Sequence, residues 1–200
     1  MEQAVIGNIT NEQLNLINRL RKLWADQVMA IVTYILSTKY ETEALQAVAN
    51  ELLRISEYFA DVLRPFYGDE NAARFESLFS NHLFIGLQLI KAIYRGFPRD
   101  IEEQHEKWYD TADSIAQFFS EINPNWQKSD WQKMLYDYMS LIEFEAKQIF
   151  TDRFAQSIAQ YYSIQNEALK MADAMAYGTF WQFPSLTQSE QQIAETPTIQ

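Results

Sequence analysis

The chain has 200 residues, of which 48% are hydrophobic and 14% aromatic, with five glycines, five prolines and no cysteine. This length allows one domain with a sizeable core, and the lack of cysteine excludes disulfides and cysteine-ligated metal centres. The net charge of −11 argues against binding to nucleic acid or to an anionic membrane surface, because both attract positive charge.

Residues 1–9 lack a basic segment followed by an apolar core, so we expect a flexible N-terminus and no secretion signal. No apolar stretch reaches about 18 residues, which predicts the absence of a membrane span. We therefore expect a cytoplasmic protein.

Helical periodicity and breaker residues predict an all-α, six-helix bundle. A capping box of Thr10 and Gln13 starts the first helix, which runs to about residue 37. The second helix covers about residues 42–63 and ends at RPFYG, residues 64–68. Asp69 is the expected cap of a third helix that ends near residue 94.

The fourth helix is expected to begin at Asp100 and to end at INPNW, residues 122–126. Ser129 and Gln132 form a second possible capping box, which opens the fifth helix. Thr151 and Asp152 separate this helix from a sixth that ends at residues 177–178. Because no breaker residue lies near Thr151, one long bent helix is the alternative.

Residues 10–184 are thus predicted to form a single bundle domain, followed by a disordered polar tail, residues 185–200. The aromatic segment FWQFP, residues 180–184, ends the domain. We expect it to fold back as a cap on the bundle, with a docking peptide as the alternative.

Each helix carries an inward row at alternating steps of three and four residues, and most rows include one or two polar side chains. His82 and Gly86 lie in the row of the third helix, where a glycine indicates that a ring or a backbone packs closely. Glu145 lies in the row of the fifth helix and needs a partner, because a lone buried carboxylate is costly. The row of the last helix is Phe154, Ile158, Tyr161, Gln165, Ala168 and Ala172.

Residues 52–93 and 108–149 share a pattern of apolar residues at a shift of 56, which also aligns Gly68 with Pro124. This pattern predicts two duplicated helical hairpins, flanked by the first and last helices. The same shift aligns His82 with Tyr138, so both would face one central space.

Eight short sequence motifs, spread over about residues 20–184, resemble those of a known family. They are LW (23–24), RPFYG (64–68), NHL (81–83), WYDTADSIAQFF (108–119), NPNW (123–126), MLY (134–136), MAD (171–173) and QFP (182–184). In order and spacing they resemble an uncharacterised all-helical protein family of spore-forming bacteria.

The resemblance implies a polar or metal-binding pocket built from three histidines, two asparagines and two acidic residues. In this chain the seven positions hold, in that order, Gln27, His82, Tyr138, Ile55, Thr111, Tyr58 and Ser114. Only His82 matches, and Glu145 and Asp173 are nearby in the pattern. The chain therefore looks like a divergent member that has lost or remade the pocket, and one histidine makes a poor zinc or iron site.

The sequence predicts a non-enzymatic acidic protein, without cofactor or metal, that binds a small molecule or a protein partner and can form a homo-oligomer. The candidate cavity is lined by Gln27, His82, Thr111, Tyr138 and Glu145. A hydrogen-bonded core cluster in a solid structural or protein-interaction module is the alternative, and a metal-dependent enzyme with a degraded site is the third. Glu102 and His105 have di-metal spacing, but such sites need a second copy and two more glutamates.

Overall fold

A computed structural model describes residues 9–186, and within this range the chain is all-α, as expected, with five helices and one 3₁₀ turn. The helices are α1 (Asn11–Lys39), α2 (Leu45–Arg95), α3 (Pro98–Ile122), α4 (Lys128–Phe150) and α5 (Phe154–Gln182), and the turn is Pro184–Leu186. The predicted flexible segment 1–9 and the predicted disordered tail 185–200 lie almost entirely outside the described residues. Only residues 9, 185 and 186 of these segments are described.

The predicted count of six helices is wrong, and the difference lies in α2. This helix continues past Pro65, and Gly68 has the non-helical angles φ 77° and ψ 171°. In a straight helix Phe59 and Phe79 would lie about 30 Å apart, yet their ring centroids are 5.3 Å apart. The chain therefore reverses at Gly68, a conformation that glycine adopts readily, and α2 has two antiparallel arms, residues 45–67 and 69–95.

Two predicted capping interactions differ from those observed, whereas the capping box of Thr10 and Gln13 is confirmed. Asp69 is the first residue of the second arm of α2 and not its cap, and its carboxylate instead binds Arg64 at 2.9 Å. Ser129 lies inside α4, which begins one residue earlier at Lys128 and has no side-chain cap.

The boundary predicted near Thr151 is confirmed, because Asp152 has a left-handed φ of 60° between α4 and α5. One long bent helix is therefore excluded. The predicted end of the last helix is wrong by four residues, since α5 continues through Gly178 to Gln182. Gly178 is a packing glycine, because a Cβ atom there would lie 2.0 Å from Trp126 Nε1.

The helices pack around one aromatic core. α1 contacts α2, α4 and α5, and the remaining neighbours in sequence, α2 with α3, α3 with α4 and α4 with α5, also pack together. The largest side chains with less than 2% exposure include Trp24, Trp131, Tyr34, Tyr138, Phe59, Phe75, Phe79, Phe118 and Phe119. Burial of this apolar surface is the main source of stability.

One end of the bundle is closed by residues from three distant parts of the chain. Asn123 Nδ2 donates to the Tyr67 hydroxyl at 2.7 Å, and the same hydroxyl lies 3.3 Å from Thr179 Oγ1. The Phe183 ring packs against Tyr67, with centroids 5.2 Å apart, so the C-terminal aromatic segment folds back onto the bundle there. Trp181 of the same segment stays 68% exposed.

Candidate functional site

The five predicted site residues fall into two separate environments. Gln27, His82 and Tyr138 have at most 2% exposure and lie in the core, with Thr111 half-buried beside His82. Glu145 is also fully buried, but it lines a surface pocket whose other lining residues belong to none of the predicted set.

His82 is held by a short hydrogen-bond chain between the second arm of α2 and α3. Its Nδ1 atom lies 2.9 Å from Thr111 Oγ1, which donates its own hydrogen to the Trp108 carbonyl at 2.6 Å. Because the hydroxyl hydrogen is used, the network assigns the hydrogen of the imidazole to Nδ1. Burial lowers the pKa of His82 to about 3, so the ring is neutral at neutral pH.

The imidazole of His82 stacks between two aromatic rings. The Phe79 ring centroid lies 6.2 Å away and the Trp108 centroid 5.4 Å away, with interplanar angles of 7° and 25°. The close approach expected at Gly86 is confirmed, since a Cβ atom there would lie 3.0 Å from Trp108 Cε2. Gly86 therefore leaves room for the indole that covers His82.

The other two core candidates, Gln27 and Tyr138, are buried, and each has a polar atom without a hydrogen-bond partner among the described residues. Gln27 Oε1 and the Tyr138 hydroxyl have no hydrogen-bond partner within residues 9–186, and the same is true of Trp24 Nε1. The Trp24 and Tyr138 rings contact each other edge to face, with centroids 5.8 Å apart. Burial raises the pKa of Tyr138, so its hydroxyl keeps its proton.

Glu145 has one partner for its two carboxylate oxygens. Oε1 accepts a hydrogen bond from Ser157 Oγ of α5 at 2.6 Å, whereas Oε2 is buried and unpartnered in the described part of the chain. Burial raises the pKa of Glu145, and the bond from Ser157 opposes this effect. The free oxygen can accept a further hydrogen bond or pair with a cation.

The pocket beside Glu145 lies between α1, α4 and α5 and has a volume of about 300 Å³. Its lining is apolar apart from Glu145, Ser157 and two phenolic hydroxyls. The lining residues are Val32, Leu36, Glu145, Ile149, Phe154, Ser157, Ile158, Tyr161 and Tyr162. An apolar concave site with few polar groups is typical of small-molecule binding sites.

The start of α5 corrects the predicted inward row. Phe154 is 40% exposed and Ile158 is 64% exposed, although both were expected in the core. The buried row of α5 lies further along, at Ile164, Ala168, Met171, Ala172 and Met175. The first turns of α5 therefore form a wall of the pocket instead of filling the core.

Lys39 of α1 lies beside this wall. Its Nζ atom is 4.8 Å from the centroid of the Phe154 ring, donates to the Ile149 carbonyl and pairs with Asp152 at 2.5 Å. The Lys39 charge is thus matched by a carboxylate outside the pocket. Among the described residues that line the pocket, Glu145 alone has an acidic or basic side chain.

His82 and Glu145 share no hydrogen bond and so do not form an acid–base pair. The observed hydrogen bonds connect His82 to α3 and Glu145 to α5. Of the pair with di-metal spacing, Glu102 is exposed, and His105 Nε2 lies 3.4 Å from Glu143 Oε1. Within residues 9–186, no three His, Asp or Glu side chains are grouped so that they could hold a metal ion. No helix in the same range is long and apolar enough to cross a membrane.

Most of the pocket lies outside the predicted set of site residues, including Ser157 and the aromatic residues of α5. A usable signal was present in the run Tyr161–Tyr162 after Phe154 and Ile158, because it places more apolar residues on the first turns of α5 than one buried face can hold. Comparisons with protein-family models, curated proteins and solved structures gave no match to this chain.

Proposed function

We propose that this protein is a non-enzymatic small-molecule-binding bundle and that the ligand occupies the pocket between α1, α4 and α5. The observation that carries the proposal is that Glu145, whose Oε2 is buried without a partner in the described part of the chain, belongs to the lining of an apolar cavity of about 300 Å³. A buried carboxylate oxygen without a partner costs free energy, and a ligand that supplies the missing partner removes this cost.

The position of the pocket supports a ligand rather than a solid interior. Ile158 is 64% exposed and Phe154 is 40% exposed, and their apolar surface would leave water when a ligand binds. The sequence predicts a binding cavity around His82, whereas we propose that the ligand binds beside Glu145. His82 then has a structural role in the core.

Titration with the neutral fluorophore N-phenyl-1-naphthylamine tests the proposal. We expect saturable binding to the wild-type protein, and we expect Ile158→Trp to weaken it by at least about tenfold because the larger side chain fills the pocket. Leu36→Trp, on the opposite wall, should act in the same way.

Leu14→Trp is the matched control, since Leu14 is an apolar residue of 47% exposure outside the pocket. This variant should bind the fluorophore like the wild type. Equal affinity in all four proteins, or no binding to any, would contradict the proposal. Native mass spectrometry of the same proteins from host cells then reveals the natural ligand. Its mass should be present in the wild type and in Leu14→Trp and absent from Ile158→Trp, with or without loss from Leu36→Trp.

A protein-interaction module is the second candidate, and the exposed aromatic pair at the end of α5 favours it. Trp181 is 68% exposed and Tyr177 is 39% exposed, with ring centroids 6.3 Å apart. Exposed aromatic residues are enriched in protein interfaces. Trp181→Ser should then abolish self-association or partner binding in analytical ultracentrifugation, and unchanged sedimentation would count against it.

We also propose that the chain is built from three copies of a two-helix unit, which extends the predicted two-hairpin repeat. Buried residues recur at shifts of 55 and then 56 in α1, the second arm of α2 and α4. Three such sets are Trp24, Phe79, Leu135; Gln27, His82, Tyr138; and Tyr34, Leu89, Glu145. In the first arm of α2, in α3 and in α5, buried residues recur at a shift of 56 both times. Two such sets are Leu52, Trp108, Ile164 and Phe59, Ile115, Met171.

This repeat relates the three histidine positions of the resembled family to one another. The three positions that the resembled family fills with histidine hold Gln27, His82 and Tyr138 here, which are equivalent positions of the three units. We propose that this chain is a divergent member in which the central polar site became part of the core. A crystal structure whose three units superpose no better than unrelated helical hairpins would contradict the repeat.

A further inference from the structure

We propose that the pocket selects organic ammonium ions, meaning amines whose apolar body fills the cavity while the cationic head pairs with Glu145. This inference rests on the proposed binding function and adds the chemical class of the ligand. Its basis is the combination of one unpaired buried carboxylate with three aromatic rings in a single apolar pocket.

The carboxylate supplies the specific contact. Ser157 occupies Oε1 at 2.6 Å, and Oε2 has no partner within the described residues. A hydrogen bond between two charged groups is stronger than a neutral one, and it gains further strength where water is excluded. An ammonium head therefore has more to gain at this position than a hydroxyl head.

The aromatic side chains supply surfaces that attract a cation. Tyr161 and Tyr162 lie edge to face, with ring centroids 5.8 Å apart and an interplanar angle of 78°, and Phe154 belongs to the same wall. The Lys39 ammonium already rests 4.8 Å from the Phe154 centroid. Sites that combine aromatic faces with a carboxylate are suited to alkylammonium groups.

The charges on the lining argue against an anionic ligand. A ligand carboxylate or phosphate would meet Glu145 and no lining cation, because Lys39 is paired with Asp152. The net charge of −11 also raises the local concentration of cations over that of anions. Like charges repel each other more strongly near a protein surface than in bulk water, because the effective dielectric constant is lower there.

A matched set of three competitors tests the inference by displacement of N-phenyl-1-naphthylamine. Cyclohexylmethylammonium, cyclohexylmethanol and cyclohexanecarboxylate share one ring and carry charges of +1, 0 and −1. We expect the amine to displace the fluorophore at a concentration roughly tenfold lower than the alcohol, and the carboxylate to be the weakest.

Two variants separate the contributions. Glu145→Gln keeps the shape and an acceptor for Ser157, and it should bring the amine and the alcohol to equal potency. Tyr162→Leu changes a residue of 61% exposure and should weaken the amine several-fold while the alcohol changes less.

The two proposals fail in different ways. If the fluorophore binds in the pocket but the alcohol or the carboxylate competes as well as the amine, the ammonium preference is wrong and the binding function stands. If Ile158→Trp and Leu36→Trp leave the fluorophore affinity unchanged, the binding function itself is wrong. An amine preference that survives Glu145→Gln would also overturn the role of Glu145.

Discussion

The surroundings of His82 and those of Glu145 show two ways of placing an ionisable side chain in an apolar interior. His82 lies between two rings and shares a hydrogen-bond chain with Thr111 and Trp108, and Gly86 leaves room for the indole. Glu145 has one bonded oxygen, one free oxygen and a pocket beside it. The His82 imidazole has its partner without a ligand, whereas one Glu145 oxygen has none among residues 9–186. Other core polar atoms of the described chain also lack partners, so an unpartnered polar atom indicates a site only where a pocket adjoins its residue, as it does for Glu145.

The largest expected effect is a loss of stability when the His82 side chain is removed from the core. His82→Ala removes the imidazole from the aromatic stack and leaves Thr111 without its donor, so we expect it to lower the free energy of unfolding by about 3 kcal/mol. Urea denaturation measures this change, and His105→Ala is the control because the His105 side chain is 43% exposed. Equal losses in both variants would remove the distinction between core and surface.

The dependence of stability on pH should have opposite signs in the two regions. The folded pKa of His82, about 3, lies below its usual value of 6.5, so stability is full above pH 6.5 and falls as the pH drops towards 3. Burial raises the pKa of Glu145 above its usual value of 4.5, so this residue costs stability as the pH rises above 4.5 and through its folded pKa.

Urea denaturation at a series of pH values separates these two contributions. Between pH 6.5 and 5, His82→Gln should remove a stability loss of about 2 kcal/mol. Glu145→Gln should instead gain on the wild type as the pH rises from 4.5. A wild-type stability that does not fall on acidification, or a gain of Glu145→Gln that shrinks with rising pH, would contradict the assigned environments.

Glu145→Leu should have a smaller effect on stability and a large effect on binding. An apolar residue of similar size removes the desolvation cost of the carboxylate, so we expect the free energy of unfolding to stay equal or to rise by about 1 kcal/mol at neutral pH. Thermal denaturation and the amine competition assay measure the two effects on the same sample. A clear loss of stability would show that Glu145 is a structural residue like His82.

Ile158→Ser should change stability least. Because Ile158 is 64% exposed, we expect a change within about 0.5 kcal/mol. The pocket nevertheless loses apolar surface, so fluorophore affinity should fall several-fold. A drop in stability comparable to that of His82→Ala would show that the first turns of α5 belong to the core.

Sequence patterns predict the all-α class and the start of α1, because periodicity and capping are local properties. They leave the boundary near Thr151 open against one long bent helix, because no breaker residue marks it. The break at Gly68 follows from the sequence, whereas the continuation of the helix past Pro65 up to this glycine does not. Gly178 was read as a terminus because nothing local shows that the Trp126 indole packs on it from 52 residues away.

The candidate site was harder to predict, because burial and access are set by tertiary packing. The three- and four-residue spacing correctly placed Gln27, His82, Tyr138 and Glu145 inside, yet it also placed Ile158 inside. Periodicity identifies an apolar face but not how far along a helix that face is covered. For α5 the cover begins near Ile164, and the uncovered part is the pocket wall.

Lys39 fastens the end of α1 to the turn between α4 and α5, through Asp152 and the Ile149 carbonyl. Val32 and Leu36 precede it on α1, and Ile149 and Phe154 flank the turn, so this ion pair joins two sides of the pocket. Asp152 is 73% exposed and is screened by dissolved salt. An exposed ion pair contributes at most about 1 kcal/mol, so high salt should loosen this junction only slightly while the packing of α1 against α4 and α5 holds the pocket walls in place.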